Sequence, residues 1–164
     1  MTVADRLRLS SARKSGRQPY SYRQDYLVEK FPDDRPIIIF DGNCVLCTGF
    51  ARFILKYDKR GSFRLMAGQS PTGQALYRHL ELDPGDFGTN ILLDQGQAWF
   101  KSRGTIRMFQ LLGFPWNLAV VLRIVPTSLL DRLYDLVARN RFKWFGRRDQ
   151  CLLSDPAQHD RFLE

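Results

Sequence analysis

Two thiols three residues apart, in Cys44-Val45-Leu46-Cys47, are the side chains of this sequence best placed to do chemistry. On a helix, positions i and i+3 share a face, so two such sulfurs can form and break a disulfide within one turn. The first turn of a helix carries unsatisfied N–H groups and the positive end of the macrodipole, and both favour a thiolate. That influence is about 0.3–2 kcal/mol, which lowers a thiol pKa by about 0.2–1.5 units from a reference near 8.5. Cys44 lies nearer the helix start, which makes it the attacking thiol and Cys47 the resolving one. Asp41, just upstream, has two readings. As a turn residue it accepts backbone N–H bonds and caps the helix; as a carboxylate near Cys47 it could take that thiol's proton. A nucleophilic aspartate of the phosphotransfer kind is set aside, because Asn43 stands where a second Asp would be needed.

The same cysteines admit two plainer roles. Buried cysteines serve as small apolar core residues, and the pair could be half of a structural zinc site completed by Cys151 and His159. The seven residues between those two depart from the usual spacing of such a pair, and we expect no metal. Cys151 is either a third redox thiol or an inert one. His79, next to Arg78, reads as an exposed helix residue.

The elements that must position the pair follow from the apolar pattern. Pro36-Ile37-Ile38-Ile39-Phe40 is a continuous β-branched run, as in a strand buried on both faces. It ends at Asp41-Gly42-Asn43, a turn sequence. Val45, Leu46, Phe50, Phe53, Ile54 and Tyr57 then repeat at helical spacing, and Gly61 follows as a stop. Phe63 to Met66 reads as a strand and Thr72 to Leu82 as a helix. Asn90 to Leu93 and Ala98 to Lys101 read as a hairpin turning at Asp94-Gln95-Gly96-Gln97, with a helix from Thr105 to Leu112. A βαβ unit, then a β-hairpin, then a helix predicts an α/β fold: a thioredoxin-like four-stranded mixed sheet with helices on its faces. Two further helical stretches extend it. Trp116 to Val125 is apolar and is expected to pack on the core. The next stretch, capped by Thr127 or Ser128, places Leu129, Leu130, Leu133, Tyr134, Leu136 and Val137 on its apolar side.

Composition bounds the rest. The chain has 164 residues, 44% of them apolar, which suits one domain with its own core. Its three cysteines are too few for a secreted disulfide framework, and no run of 18 apolar residues offers a membrane span. We divide it into a basic leader (1–34), a thioredoxin-like domain (35–156, with core 35–112 and helical extension 113–156) and a tail (157–164). Most of the leader is expected to be mobile, with Tyr20, Tyr22, Tyr26, Leu27 and Phe31 able to pack as a short arm. It lacks the apolar stretch of a secretory signal, which points to the cytoplasm, or to an organelle if the Arg/Ser-rich leader is a transit peptide. The net charge of +8 and the basic–aromatic stretch from Arg139 to Arg148 raise the class of nucleic-acid binders. No reading motif accompanies them, and a solvated, locally packed segment is the simpler account.

Ile38-Ile39-Phe40-Asp41-Gly42-Asn43-Cys44-Val45-Leu46-Cys47 resembles the signature of the DCC family of predicted thiol–disulfide oxidoreductases, named for one Asp and two Cys. A later segment, Tyr134-Asp135-Leu136-Val137-Ala138-Arg139-Asn140-Arg141 continuing through Trp144-Phe145-Gly146-Arg147 to Cys151, matches it too. The resemblance spans about 35–156 and implies a thioredoxin-like fold and exchange chemistry at Cys44 and Cys47. One departure stands out. Thioredoxins carry a cis-proline just before the third strand, whereas Gly88-Thr89-Asn90 occupies that approach here, so Thr89 is a candidate to face the cysteines and the substrate. Asn140, Arg141 and Arg147 are further candidates: an arginine near the dithiol would favour thiolate and select an anionic substrate. Alternatively, these arginines pair with Asp135 and Asp149 and tie the helical tail to the core. No GxGxxG follows a strand, so neither flavin nor nicotinamide is expected. The Cys44–Cys47 pair would then be the redox group in place of a cofactor. It would act on a disulfide-containing protein or a small thiol compound and be served by an external thiol reductant. The competing class is a non-catalytic module that borrows the fold.

Overall fold

A computed structural model describes residues 18–147 and 160–163 of the chain. Strand β1 (Ile37–Phe40) is buried at every position and lies at the centre of a five-stranded sheet. It pairs in parallel with β2 (Arg64–Ala67) and antiparallel with β3 (Ile91–Asp94), while β4 (Gln97–Phe100) closes a hairpin with β3. Between these run helices α1 (Val45–Tyr57), α2 (Pro71–His79) and α3 (Lys101–Leu112). This is the thioredoxin-like α/β arrangement that the element order predicts.

Successive side chains of a strand point to opposite faces, and both faces of this sheet are covered. Ile37, Ile39, Met66, Ile91 and Leu93 meet Ala75, Leu76 and Tyr77 of α2. Ile38, Phe40, Leu65 and Leu92 meet Ala51 and Ile54 of α1 and Met108 of α3. A β1 made wholly of Ile and Phe is therefore explained: no position on it faces water. The turn into α2 is fixed by Ser70, whose Oγ accepts from Gly73 N at 3.0 Å, and by Pro71 in the first turn. Gly73 itself cannot carry a side chain, since a Cβ there would lie 2.4 Å from the Ala67 carbonyl.

Three expectations are corrected. The sheet has a fifth strand, β5 (Phe162–Leu163), which adds in parallel to β2 through Leu65–Phe162 and Met66–Leu163. The chain end there is not a free tail: Arg161 pairs with buried Asp58 and donates to the Phe63 carbonyl. Second, Trp116–Ile124 forms a 3-10 run with no buried residue. It lies along α3, and its Trp116 ring meets Phe53 at 4.8 Å and Tyr57 at 4.9 Å. Leu118, Val121 and Ile124 stay exposed because no element among the described residues lies over them. Third, His79 is not an exposed helix residue; its ring bonds the Asp25 carboxylate at 2.7 Å and the Ser21 hydroxyl at 3.0 Å.

That last contact belongs to the aromatic arm. A short 3-10 turn (Ser21–Gln24) buries Tyr22, which stacks on Phe31 and donates to Asp33 at 2.6 Å. Tyr20 joins it, whereas Tyr26 and Leu27 point outward. The long final helix α4 (Thr127–Phe145) crosses α3, with Lys101 and Ser102 held by Asp135 and Asp131. No helix among the described residues is long and apolar enough to cross a membrane.

Candidate active site: the dithiol turn

The site begins where β1 stops. Asp41 and Gly42 turn the chain, and Cys44 becomes the N-cap of α1, with extended backbone and its Sγ accepting from Cys47 N at 3.3 Å. A cysteine replaces the usual Ser, Thr or Asp in this capping role. The sulfur thus satisfies one of the helix's free donors, and that donor in turn favours sulfur in its charged form. Cys44 and Cys47 are both free thiols, so the structure is that of the dithiol.

Their environments divide them sharply. The Cys44 thiol is held down at about 6, first by the hydrogen bond donated from the Cys47 thiol, then by the Cys47 backbone N–H and the Arg141 charge, against burial and Asp41. Cys47 is pushed far upward because its proton is held on Cys44, with burial and the charges of Cys44 and Asp41 acting the same way. One proton shared between the two sulfurs favours the charged form at Cys44 and the protonated form at Cys47.

Asp41 is buried below the turn and accepts a backbone N–H there as expected, but it does not cap the helix, a place that Cys44 takes. Its Oδ1 accepts from Asn43 N at 3.0 Å and from Gln69 Nε2 at 2.7 Å, and its Oδ2 faces Arg141 Nη2 at 3.4 Å. Gln69 also accepts from Gly42 N at 3.0 Å, so one side chain clamps both the carboxylate and the backbone of the turn. Arg141 is buried, lies 3.6 Å from Asp86, and leaves its Nε without a hydrogen-bond partner among the described residues. Burial alone would make it less basic, but the charges of Cys47, Asp41, Asp86 and Cys44 outweigh that and raise its pKa.

The remaining candidates fall in different places. Thr89 lies in the segment before β3, where two phenols hold the backbone: Tyr77 donates to the Thr89 carbonyl at 2.6 Å, and Tyr134 accepts from Asn90 N at 3.0 Å. Burial raises the pKa of both phenols, and both also feel the Cys47 charge. The Thr89 hydroxyl is buried beside the Tyr134 phenol. The cis peptide bond of the described chain is Phe114–Pro115, beyond α3. Arg147 reaches the site by its backbone, which bridges antiparallel to Cys44, while its guanidinium lies over Phe142 at 4.3 Å. With Phe142 packed on the same cluster, this segment covers Cys44, which has 0% exposure. Asn140 is not drawn in; its amide donates back along α4 to the Leu136 carbonyl at 2.8 Å. Asp149, Cys151 and His159 lie outside the described residues, and no group of metal-ligating side chains occurs among those described.

Gln69, Asp86, Tyr77 and Tyr134 were missed by sequence reasoning. Tyr134 carried a signal, because it opens the second segment of the family resemblance, but its spacing places it on the apolar face of α4. Gln69 carried none.

A strand–dithiol–helix unit with an acidic first thiol defines the class of thiol–disulfide oxidoreductases with a thioredoxin-like fold. The family pattern described as DCC1-like thiol-disulfide oxidoreductase matches residues 38–147, well over half of the chain, and the chain belongs to that family. It is 38% identical over 127 residues to the uncharacterized protein YuxK of Bacillus subtilis, covering 77% of this chain and 93% of that one. It is also 35% identical over 122 residues to DCC family protein At1g52590, chloroplastic, of Arabidopsis thaliana, covering 74% of this chain and 71% of that one. No solved structure matches it significantly.

Proposed function

We propose that the protein is an enzyme that exchanges electrons between the Cys44–Cys47 dithiol and the disulfide of a protein or small molecule. The observation that carries the reading is the Cys44 sulfur at the N-cap of α1, with its pKa near 6 and a protonated Cys47 beside it. Cys44 thiolate attacks one sulfur of the substrate disulfide, that bond breaks, and the departing sulfur leaves as a thiolate that takes up a proton. Cys47 then loses its proton to Asp41 or to water and attacks Cys44. The mixed disulfide breaks and the second substrate thiol departs. The substrate gains two electrons and two protons, and the protein is left with a Cys44–Cys47 disulfide. An external thiol reductant restores the dithiol, so no flavin, nicotinamide or metal is called for.

Asp41 acts as proton acceptor and turn clamp, Arg141 holds the charge balance, and Thr89 borders the substrate. Because Cys44 is covered, the turn at Gly146-Arg147 must draw back before a disulfide can reach it. The family relative described as chloroplastic keeps an organelle beside the cytoplasm as a compartment for this chemistry. The test is titration in glutathione redox buffers with thiol trapping. A single two-electron transition, absent in Cys44→Ser, is expected. Retention of disulfide-reducing turnover in Cys44→Ser, or stoichiometric zinc that survives dithiothreitol, would overturn the assignment.

A further inference from the structure

The outer face of α4 and the 3-10 run before it carry apolar side chains that nothing among the described residues covers. At 3.6 residues per turn, Leu129, Leu133 and Leu136 line one side of α4, and Trp144 lies two turns further along it, past Asn140. All four are more than half exposed, at 57%, 58%, 52% and 54%. Pro126 joins this line to the 3-10 run, where Leu118, Val121 and Ile124 are also 58–83% exposed. Single exposed leucines need no explanation, but a row continued over two adjoining elements does.

Charge says what kind of surface fits. The two acidic residues of α4 both turn inward, Asp131 to Ser102 and Asp135 to Lys101 at 2.8 Å. The cations stay outside. Arg132, Arg139 and Lys143 flank the apolar line, are exposed, and have no ion-pair partner among the described residues. An apolar ridge with leucines and a tryptophan, edged by one sign of charge, is the pattern of an element that lies in a membrane interface. The apolar side chains enter the boundary of the acyl chains while the cations meet anionic headgroups.

We propose that this face docks the protein on an anionic lipid bilayer, without crossing it. The inference is independent of the exchange chemistry, because none of these side chains touches the dithiol turn. The measurement is flotation of the full chain with vesicles of phosphatidylcholine alone and of phosphatidylcholine mixed with phosphatidylglycerol. The chain is expected to float with the mixed vesicles and to be released as salt rises. A Leu129→Gln/Leu133→Gln/Leu136→Gln variant is expected to bind them at least about tenfold more weakly. An Arg132→Gln/Arg139→Gln/Lys143→Gln variant should lose the preference for anionic vesicles. Unchanged pH dependence of Cys44 alkylation shows that both variants remain folded. The proposal fails if the wild-type chain does not float. It fails equally if the leucine variant floats as well as wild type, since attachment would then reside elsewhere, such as in the basic residues 1–17. A dimer in sedimentation that the leucine variant dissociates would put a second copy of the chain on this face, and would also overturn it.

Discussion

The β1–α1 turn and helix α4 build one site by opposite means. The turn holds the two thiols and Asp41 within seven consecutive residues, and bonds short in sequence shape it: Cys47 N to Cys44 Sγ, Asn43 N to Asp41 Oδ1. Helix α4 supplies no reacting atom. Helix α4 and the turn after it bring the Arg141 charge to Asp41 and the Arg147 backbone to Cys44 across about a hundred residues of chain, and the Tyr134 hydroxyl to Asn90 across 44. The chemistry is thus local, whereas its tuning and its cover are long-range. Substitutions in the first region should abolish exchange, and those in the second should shift it.

The largest effect belongs to the turn. Cys47→Ser removes the thiol that resolves the mixed disulfide, so turnover should cease while Cys44 stays reactive. Mass spectrometry of the variant with a disulfide substrate should find a stable one-to-one adduct on Cys44. Continued turnover would show that a thiol outside the turn can replace Cys47.

Arg141→Met tests the second region. It strands a buried carboxylate, which costs about 3 kcal/mol at the low end of the range for such losses, since Asn43 and Gln69 still hold Asp41. It also removes a charge that helps hold the Cys44 thiol near 6, so the pH midpoint of Cys44 alkylation should rise. Arg141→Lys should restore much of the midpoint. A midpoint unmoved in both variants would limit α4 to a structural role.

The same shifts make stability depend on pH. A folded Cys44 ionises near 6 and an ordinary thiol near 9.0, so the folded dithiol is favoured increasingly as pH rises across that window. The gain is complete above the ordinary value and is lost as pH falls through 6. Cys47 is shifted the other way, so above 9.0 the unfolded chain gains by ionising it and stability declines again. Denaturant midpoints of the dithiol form should therefore rise between about pH 6 and 9 and fall beyond, and Cys44→Ser should flatten the rise.

This division also governs what the sequence reveals. The Ile-rich strand, the turn at Asp41-Gly42-Asn43 and the placing of Cys44 and Cys47 at the start of α1 are legible because each depends on neighbours within a few positions. The 3-10 run misleads, since apolar composition does not say where cover comes from, and among the described residues none lies over Leu118, Val121 or Ile124. β5 is invisible because two residues, Phe162 and Leu163, carry no periodicity; only the vacant edge of β2 gives them a place. Gln69 illustrates the same limit within the site. Nothing in its spacing marks it, yet it makes two bonds across 27 and 28 positions, to Gly42 and Asp41. Gln69→Ala should cost about 1–2 kcal/mol, from one carboxylate bond and one backbone bond at a half-buried position. Urea unfolding measures it, and a change under a few tenths would mean that water replaces the clamp.

The smallest effect separates cover from charge. Gly146 ends α4 with φ 85°, a left-handed conformation that turns the chain so that Arg147 can bridge to Cys44. A Cβ at Gly146 would have no atom within 4 Å, so Gly146→Ala strains the backbone alone and does not crowd a neighbour. The expected cost is about 1 kcal/mol, enough to loosen the bridge while leaving Arg141 in place. Cys44 should then react with iodoacetamide several-fold faster at every pH, because the covered thiolate is uncovered more often, while the midpoint of the pH profile stays near 6. Arg141→Met is expected to do the reverse, moving the midpoint more than the plateau rate. If both variants shift the midpoint together, the Arg147 bridge and the Arg141 charge act as one device, and α4 does not control access separately from acidity.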